Sequence, residues 1–432
     1  MAFAGIDLGG TYVKAGLVHP EGARTSNVTR APMPYARAGR AADAIDVPAL
    51  LRMVHAVVAD LVAHGASAVL VSNQMHGVVL VDDSIEPISP MYTWQADLAA
   101  DRPGGSAAVV DGISDSLGDD TKRALGNELR PGLPIVTLAC MAAEGALGGA
   151  NATALSIGDF ITSTLCGYVT DCHVSNAAAS GLYDLAAGEW SHRALHAIGA
   201  DGVGLPPVVS APTVVGRADM TGQPVPVVCA IGDQQASLAG ADLAVDELSA
   251  NIATGCQVSR RIPHPDTSAP QLRPYLDDDY LATVTHIPAG RALNAFVRLL
   301  TGAAPDDDVS SSWDSLESEA RDAAGGIRAN AAVFPAARDF PGSLTGLTEQ
   351  NMTPGGVFRA AMEDVADRIA LAAHEVGTRG LTRIAFSGGL AFRSALMREM
   401  VCDRVGLPAR VVDEDADALT GLARISACVP GI

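Results

Sequence analysis

Apolar and polar positions alternate along the chain with two periods, one suited to strands and one to helices. Residues 3–8 form a short apolar run, Gly9-Gly10-Thr11 supplies a turn, and residues 12–19 resume period-two alternation, which predicts a hairpin. Asp46-Val47-Pro48 offers a cap and a first-turn proline, and Leu51, Val54, Val57, Val58, Leu61 and Val62 then recur at helical spacing as far as Gly65. Residues 68–72 read as a buried strand that runs into Asn73-Gln74-Met75-His76-Gly77, and residues 78–81 as another. The stretch 103–134 is turn-rich with short helical pieces, as a cap over a site would be. Residues 154–157 look strand-like and 159–165 helical, and Gly181-Leu182-Tyr183-Asp184 turns into a solvated segment.

The same alternation continues in the second half. Residues 225–231 predict a strand that passes at once into Gly232-Asp233-Gln234-Gln235 and a helix of small residues. A strand over 248–252 leads to a second Gly/Thr turn, Ala253-Thr254-Gly255-Cys256, which echoes the first. Pro and Asp cluster in 262–280 and 303–308, predicting surface loops. An amphipathic helix over 357–376 precedes a strand over 383–386, the turn Ser387-Gly388-Gly389 and a helix over 391–405. A strand over 409–412 and a helix from Asp415 complete the chain. Strand, glycine turn and helix recur in both halves, so two related α/β domains with a cleft between them are expected, divided near 240–248 into 1–244 and 245–432.

Composition narrows the functions open to such a fold. With 432 residues the chain can bury sizeable cores, and its net charge of −20 argues against duplex DNA or an anionic membrane as partner. A nucleotide is not excluded, because a bound metal ion offsets phosphate charge locally. Lysine occurs only as Lys14 and Lys122, so arginine carries nearly all the positive charge. The seven cysteines are scattered with no C-x-x-C, which predicts reduced thiols in a cytoplasmic protein. No basic, apolar leader opens the sequence, and no apolar run approaches the ~20 residues that span a bilayer.

Several short motifs can carry chemistry. In Asp7-Leu8-Gly9-Gly10-Thr11 the glycines let the backbone approach a ligand closely, so that N–H groups and the Thr11 hydroxyl can cradle phosphate oxygens. Asp7, at the strand end, could hold a magnesium ion through water, although a plain glycine hairpin has the same pattern. The chain contains neither a G-x-x-x-x-G-K loop nor a G-x-G-x-x-G turn after a strand. Asp233 ends an apolar strand and starts a helix, a position that suits both a general base for a hydroxyl and a helix-capping aspartate. Ser387-Gly388-Gly389-Leu390-Ala391 is either bare backbone against a nucleotide or a tight connection. Gln74-Met75-His76-Gly77 and Tyr92-Thr93-Trp94-Gln95-Ala96-Asp97 set polar groups beside aromatic faces, as recognition of a polyol requires. His192 and His196 lack the glutamate and third ligand of a zinc site, and residues 306–319 read as a solvated acidic face.

Taken in order, D-L-G-G-T, Q-M-H-G, T-W-Q, S-I-G-D-F, S-N-A-A-A-S-G-L-Y-D, G-D-Q-Q, A-T-G and S-G-G-L-A resemble the FGGY carbohydrate kinases of the hexokinase/actin ATPase superfamily. The match runs from Phe3 to about Ala427, and with Gly290-Arg291-Ala292-Leu293-Asn294 it is most similar to the sedoheptulokinase-like branch, xylulokinases next. The resemblance implies two ribonuclease-H-like (actin-like ATPase) domains that close on ATP, Mg2+ and a sugar or polyol; a homodimer is among the assemblies it admits. It implies Asp233 as general base, Asp7 at the metal, and Gly10, Thr11, Thr254, Gly255, Gly388 and Gly389 around the nucleotide. It also implies Gln74, Met75, His76, Trp94, Asp97, Asp233 and Gln234 around the sugar. Three departures stand out: Ala96 between T-W-Q and Asp97, Cys256 in the second phosphate turn, and Leu419-Thr420-Gly421 where Gly-Ala is usual.

Overall fold

Phe3–Leu8 is apolar at five of six positions and buried at all six, as a strand covered on both faces must be. In the computed structural model, which describes residues 1–36, 44–149, 151–220, 222–304, 307–334 and 340–432, this strand lies inside a seven-stranded sheet. It pairs antiparallel with Tyr12–His19 and parallel with Val69–Asn73. Arg24–Pro32 extends the hairpin side, and Val225–Val228 and Ile231–Gly232 pair parallel with Val69–Asn73 on the other. The helix Val47–Ala63 starts where its signals place it, with the Asp46 carboxylate accepting the Ala49 N–H at 3.0 Å. Its Leu50, Val54, Val58 and Leu61 join Ile6, Leu8, Val69 and Val71 in one core.

The chain forms two compact units, Met1–Asp242 with Pro263–Tyr280 and Asp415–Ile432, and Leu243–Ile262 with Leu281–Glu414. The second unit repeats the strand logic of the first. Glu247–Ile252 pairs antiparallel with Gly255–Ile262 across the second Gly/Thr turn and parallel with Arg383–Ser387, which in turn pairs with Ala409–Val411. Its longest helix, Pro354–Val376, is capped by Thr353 and buries Phe358, Met362, Val365 and Ile369. Both units are mixed α/β, each built on its own twisted sheet.

Several expectations need correction. The stretch 103–134 contains a 20-residue helix, Gly105–Ala124, kinked at Gly118, rather than short pieces. Ile113, Leu117 and Thr121, four apart, supply its buried face, but two internal glycines and many polar residues mask that period. The solvated segment expected after Tyr183-Asp184 is present at 186–189, but it is the loop of a short hairpin in which Tyr183–Asp184 pairs with Glu189–Trp190 and Leu182 and Tyr183 are buried. Within 262–280, Gln271–Pro274 is a mostly buried strand. Ser394 breaks 391–405 by capping a second helix, Ala395–Val405. Of 303–308, Pro305 and Asp306 lie outside the described residues. No helix among the described residues is long and apolar enough to cross a membrane.

Candidate functional site

Two carboxyls of the first unit, Asp7 and Asp233, are shifted upward by burial. Asp7 lies at the end of Phe3–Leu8, where the Ser72 hydroxyl of the neighbouring parallel strand donates to its Oδ1 at 2.6 Å. Burial raises the Asp7 carboxyl to about 6; the Ser72 bond and Lys14 oppose that rise, and the charge of Asp417 adds to it. Lys14 sits opposite Asp7 in the hairpin register and reaches Asp417 at 3.2 Å.

Asp233 is the first residue of the helix Asp233–Gly240, with Gly232 in the cap position and no side-chain cap bond. Asp233 is therefore the residue after the cap, and its half-buried carboxyl accepts the Gln234 N–H at the helix N-terminus. Burial raises it to about 7, the charge of Asp7 adds to the rise, and the Gln234 N–H and Arg273 oppose it. Such a carboxylate changes protonation near neutrality, as a base for a hydroxyl needs. The backbone that aims it is pinned from behind. The Gly232 N–H donates to Ser175 Oγ at 3.0 Å, and Asn176 Nδ2 donates to the Ala230 carbonyl and to Asn73 Oδ1, both at 3.0 Å.

The turn after Asp7 closes through the Gly9 N–H, which donates to the Tyr12 carbonyl at 3.0 Å and leaves Thr11 exposed. A Cβ on Gly10 would stand 3.4 Å from Trp94 Nε1 and 3.7 Å from Gln74 Oε1, so these three residues gather at one spot. Gln74 Oε1 is buried without a hydrogen-bond partner, while Trp94 is 41% exposed. Met75 packs beside Gly232, its sulfur 3.1 Å from where a Cβ would be.

His76 takes a left-handed backbone conformation, φ +68°, which costs a non-glycine residue ~1–2 kcal/mol and tends to mark functional sites. It meets a cluster that sequence reasoning missed. Arg273 grips Glu128 through Nε and Nη2 at 2.7 to 3.1 Å and donates through Nη1 to Gln234 Oε1. Arg130 adds a contact to Glu128 at 3.3 Å, and His76 Nε2 lies 3.6 Å from the same carboxylate. Burial opposes ionisation of Glu128, but the Arg273 and Arg130 guanidinium groups hold its carboxyl far below the usual range. No signal in the Pro/Asp-rich segment marks Arg273 as buried; only its lone cationic side chain between Leu272 and Pro274 hints at a partner.

Asp97 is exposed and engaged locally, accepting the Ser106 hydroxyl at 2.5 Å and the Ala99 N–H at 3.2 Å. Thr254, Gly255, Gly388 and Gly389 belong to the second unit. There Thr254 and Gly255 are exposed, and a Cβ on Gly388, whose φ is +91°, would come within 2.6 Å of the Ile252 carbonyl oxygen. Cys256 is buried, and burial pushes its thiol up, so it is no thiolate. Among the described residues no three His, Cys, Asp or Glu gather into a metal cage. Asp7, a hard carboxylate with no fuller donor set among the described residues, would suit Mg2+, which keeps most of its waters and takes one or two protein carboxylates.

Comparison with known proteins follows the same lines. The N-terminal domain of the FGGY family of carbohydrate kinases matches residues 2–240, and its C-terminal domain matches residues 254–428. No curated protein sequence matches the chain. Solved structures share the fold at low identity. The gluconate kinase from Lactobacillus acidophilus is 18% identical with a TM-score of 0.84, covering 99% of this chain and 89% of its own. The ligand-bound xylulose kinase from the same organism is 19% identical, with the same TM-score of 0.84 and the same 99% and 89% coverage. The Plasmodium falciparum glycerol kinase with ADP is 15% identical, covering 98% and 88% at a TM-score of 0.81. With both domains matched over nearly the whole sequence, the chain belongs to the FGGY family of carbohydrate kinases, phosphotransferases that use ATP and act on sugar hydroxyls.

Proposed function

We propose that the chain transfers the γ-phosphoryl group of ATP to a primary hydroxyl of a ketose or related polyol, with sedoheptulose the first acceptor to test and xylulose or a cyclitol next. The carrying observation is Asp233, a carboxyl at a helix N-terminus that burial raises to about 7, which suits proton abstraction from a hydroxyl. In this reading Asp233 takes the hydroxyl proton as the new P–O bond forms, a role typically worth ~10²–10⁴-fold. Gln74, Met75, His76, Trp94 and Gln234 orient the acceptor; Asp97 joins them only by releasing Ser106. The backbone at Gly10 and Thr11, and at Thr254 and Gly255, meets phosphate oxygens, and the turn at Gly388 and Gly389 meets the nucleotide, with open space beside Gly389. Asp7 would hold Mg2+ through water, and the ion would neutralise charge on the phosphoryl group in transit.

Support for a polyhydroxy acceptor comes from neighbours named as gluconate, xylulose and glycerol kinases, each acting on its own substrate. The preference for sedoheptulose rests on Gln74-Met75-His76-Gly77, Thr93-Trp94-Gln95 and 290–294. All seven cysteines are free, which suits work in the cytoplasm. The test is Asp233→Asn, assayed by coupled ADP release over ketoses, polyols and cyclitols. Turnover should fall by at least ~10²-fold with ATP affinity within a few-fold of wild type. Turnover close to wild type would remove Asp233 as the base.

A further inference from the structure

In the first unit two hydrogen-bond acceptors stand side by side, neither able to donate to the other. His76 Nδ1 lies 2.8 Å from the Ala179 carbonyl oxygen, and because a carbonyl only accepts, Nδ1 carries the ring proton. Burial keeps the ring neutral, with its pKa lowered to about 3. Nε2 is therefore a bare lone pair, and it faces Glu128 Oε1 at 3.6 Å. Glu128 in turn is fixed as a carboxylate by the Arg273 guanidinium on Nε and Nη2 and by Arg130 Nε at 3.3 Å. Neither atom can donate to the other. Both stay reachable, since the side chains keep 8% and 10% of their surface exposed.

Two adjacent acceptors want two adjacent donors. Hydroxyl oxygens on neighbouring carbons sit about 3 Å apart, one hydrogen-bond length, and each brings one proton. A lone hydroxyl satisfies only one of the two acceptors, and an amine or guanidinium would add charge to a cluster that already holds two guanidinium groups.

We infer that His76 Nε2 and Glu128 Oε1 together read a vicinal diol of the acceptor, one hydroxyl donating to each, which makes Glu128 a specificity-determining residue. The inference rests on the kinase reading above, and it deepens that reading from a polyhydroxy acceptor to one with a hydroxyl pair away from the reacting oxygen. Arg273 acts through Glu128 and Gln234 as a positioning residue, since its hydrogen bonds already go to those two side chains.

The experiment measures ADP release from wild type, Glu128→Gln and His76→Phe over sedoheptulose, xylulose and gluconate and their monodeoxy analogues. On the best acceptor, deleting one hydroxyl of the diol should cost wild type at least about 10²-fold in kcat/KM, because a mostly buried acceptor loses one of its donors. In Glu128→Gln the same deletion should cost less than about tenfold, the partner charge being gone. A merely structural role for Glu128 would slow intact and deoxy acceptors by one common factor and leave the deoxy penalty at its wild-type size. That result overturns the inference and leaves the kinase reading standing. If Glu128→Gln does not fold, His76→Phe keeps the Glu128–Arg273 pair and gives the same comparison at the neighbouring hydroxyl. Wild type that releases no acceptor-dependent ADP across the panel overturns both readings.

Discussion

At the scale of single residues, the site is built from groups held away from their comfortable protonation states. Asp7 and Asp233 both hold their protons more tightly folded than unfolded, at about 6 and about 7 against 3.8. A carboxyl with a raised folded pKa contributes stability that is full below its unfolded value and is lost as pH climbs through the folded one. The window here therefore runs from about pH 4 up through pH 7, and above it both charges are carried at a cost. Asp233→Asn is expected to melt higher than wild type at pH 8 without metal or ATP, with that advantage shrinking as pH falls to 5. Calorimetry at the two pH values checks this; an advantage that is equal or larger at pH 5 would mean that the Asp233 carboxyl is not strained. Mg2+ should raise the melting temperature of wild type at pH 8 and do so far less for Asp7→Asn.

Among the elements, the helix carrying Asp233 is set by a neighbour at the far end of the sequence. Asp233–Gly240 packs against Ala418–Ser426 so closely that a Cβ on Gly421 would run into the Ala236 carbonyl, and one on Gly240 into that of Asp417. Gly421→Ala must push the helices apart, at ~1–3 kcal/mol or more, and a base moved by about 1 Å can lose ~10²-fold in rate. Denaturant titration should show the loss of stability, and kcat should fall more than KM. Gly112→Ala is the control, because nothing lies within 4 Å of its Cβ and its helical backbone should gain ~0.5–1 kcal/mol. Equal behaviour of the two variants would refute the close approach. The strands and glycine turns that hold Asp7, Gln74 and Asp233 were legible in the sequence because period and turn chemistry are local. Glu128 and Arg273 were not, since a charge looks solvated until its partner, 145 positions away, is placed beside it. Gly421 was visible only as an odd residue, because crowding belongs to the pair of helices and not to either one.

For the whole molecule, the first unit is not one stretch of chain, and that has a consequence for any attempt to cut it. It ends at Asp242, gains Pro263–Tyr280, and is completed by Asp415–Ile432. The last segment is structural to it. Leu419, Leu422, Ala423 and Val429 share a core with Phe3, Val18, Ala68, Leu70, Val228 and Cys229. Leu419 and Leu422 are 1% and 0% exposed, and emptying two such positions costs ~2–5 kcal/mol each against a total of ~5–15 kcal/mol for a domain. A fragment of residues 1–242 also loses Arg273 and leaves the Glu128 carboxylate buried with only Arg130. Residues 1–242 alone are therefore expected to lack a cooperative thermal transition and to bind a hydrophobic dye, whereas the same fragment joined by a flexible linker to 415–432 should regain a transition. Scanning calorimetry on the two proteins decides it. A sharp transition for 1–242 alone, within a few degrees of its linked counterpart, would mean that the C-terminal helix decorates the first unit and does not complete it.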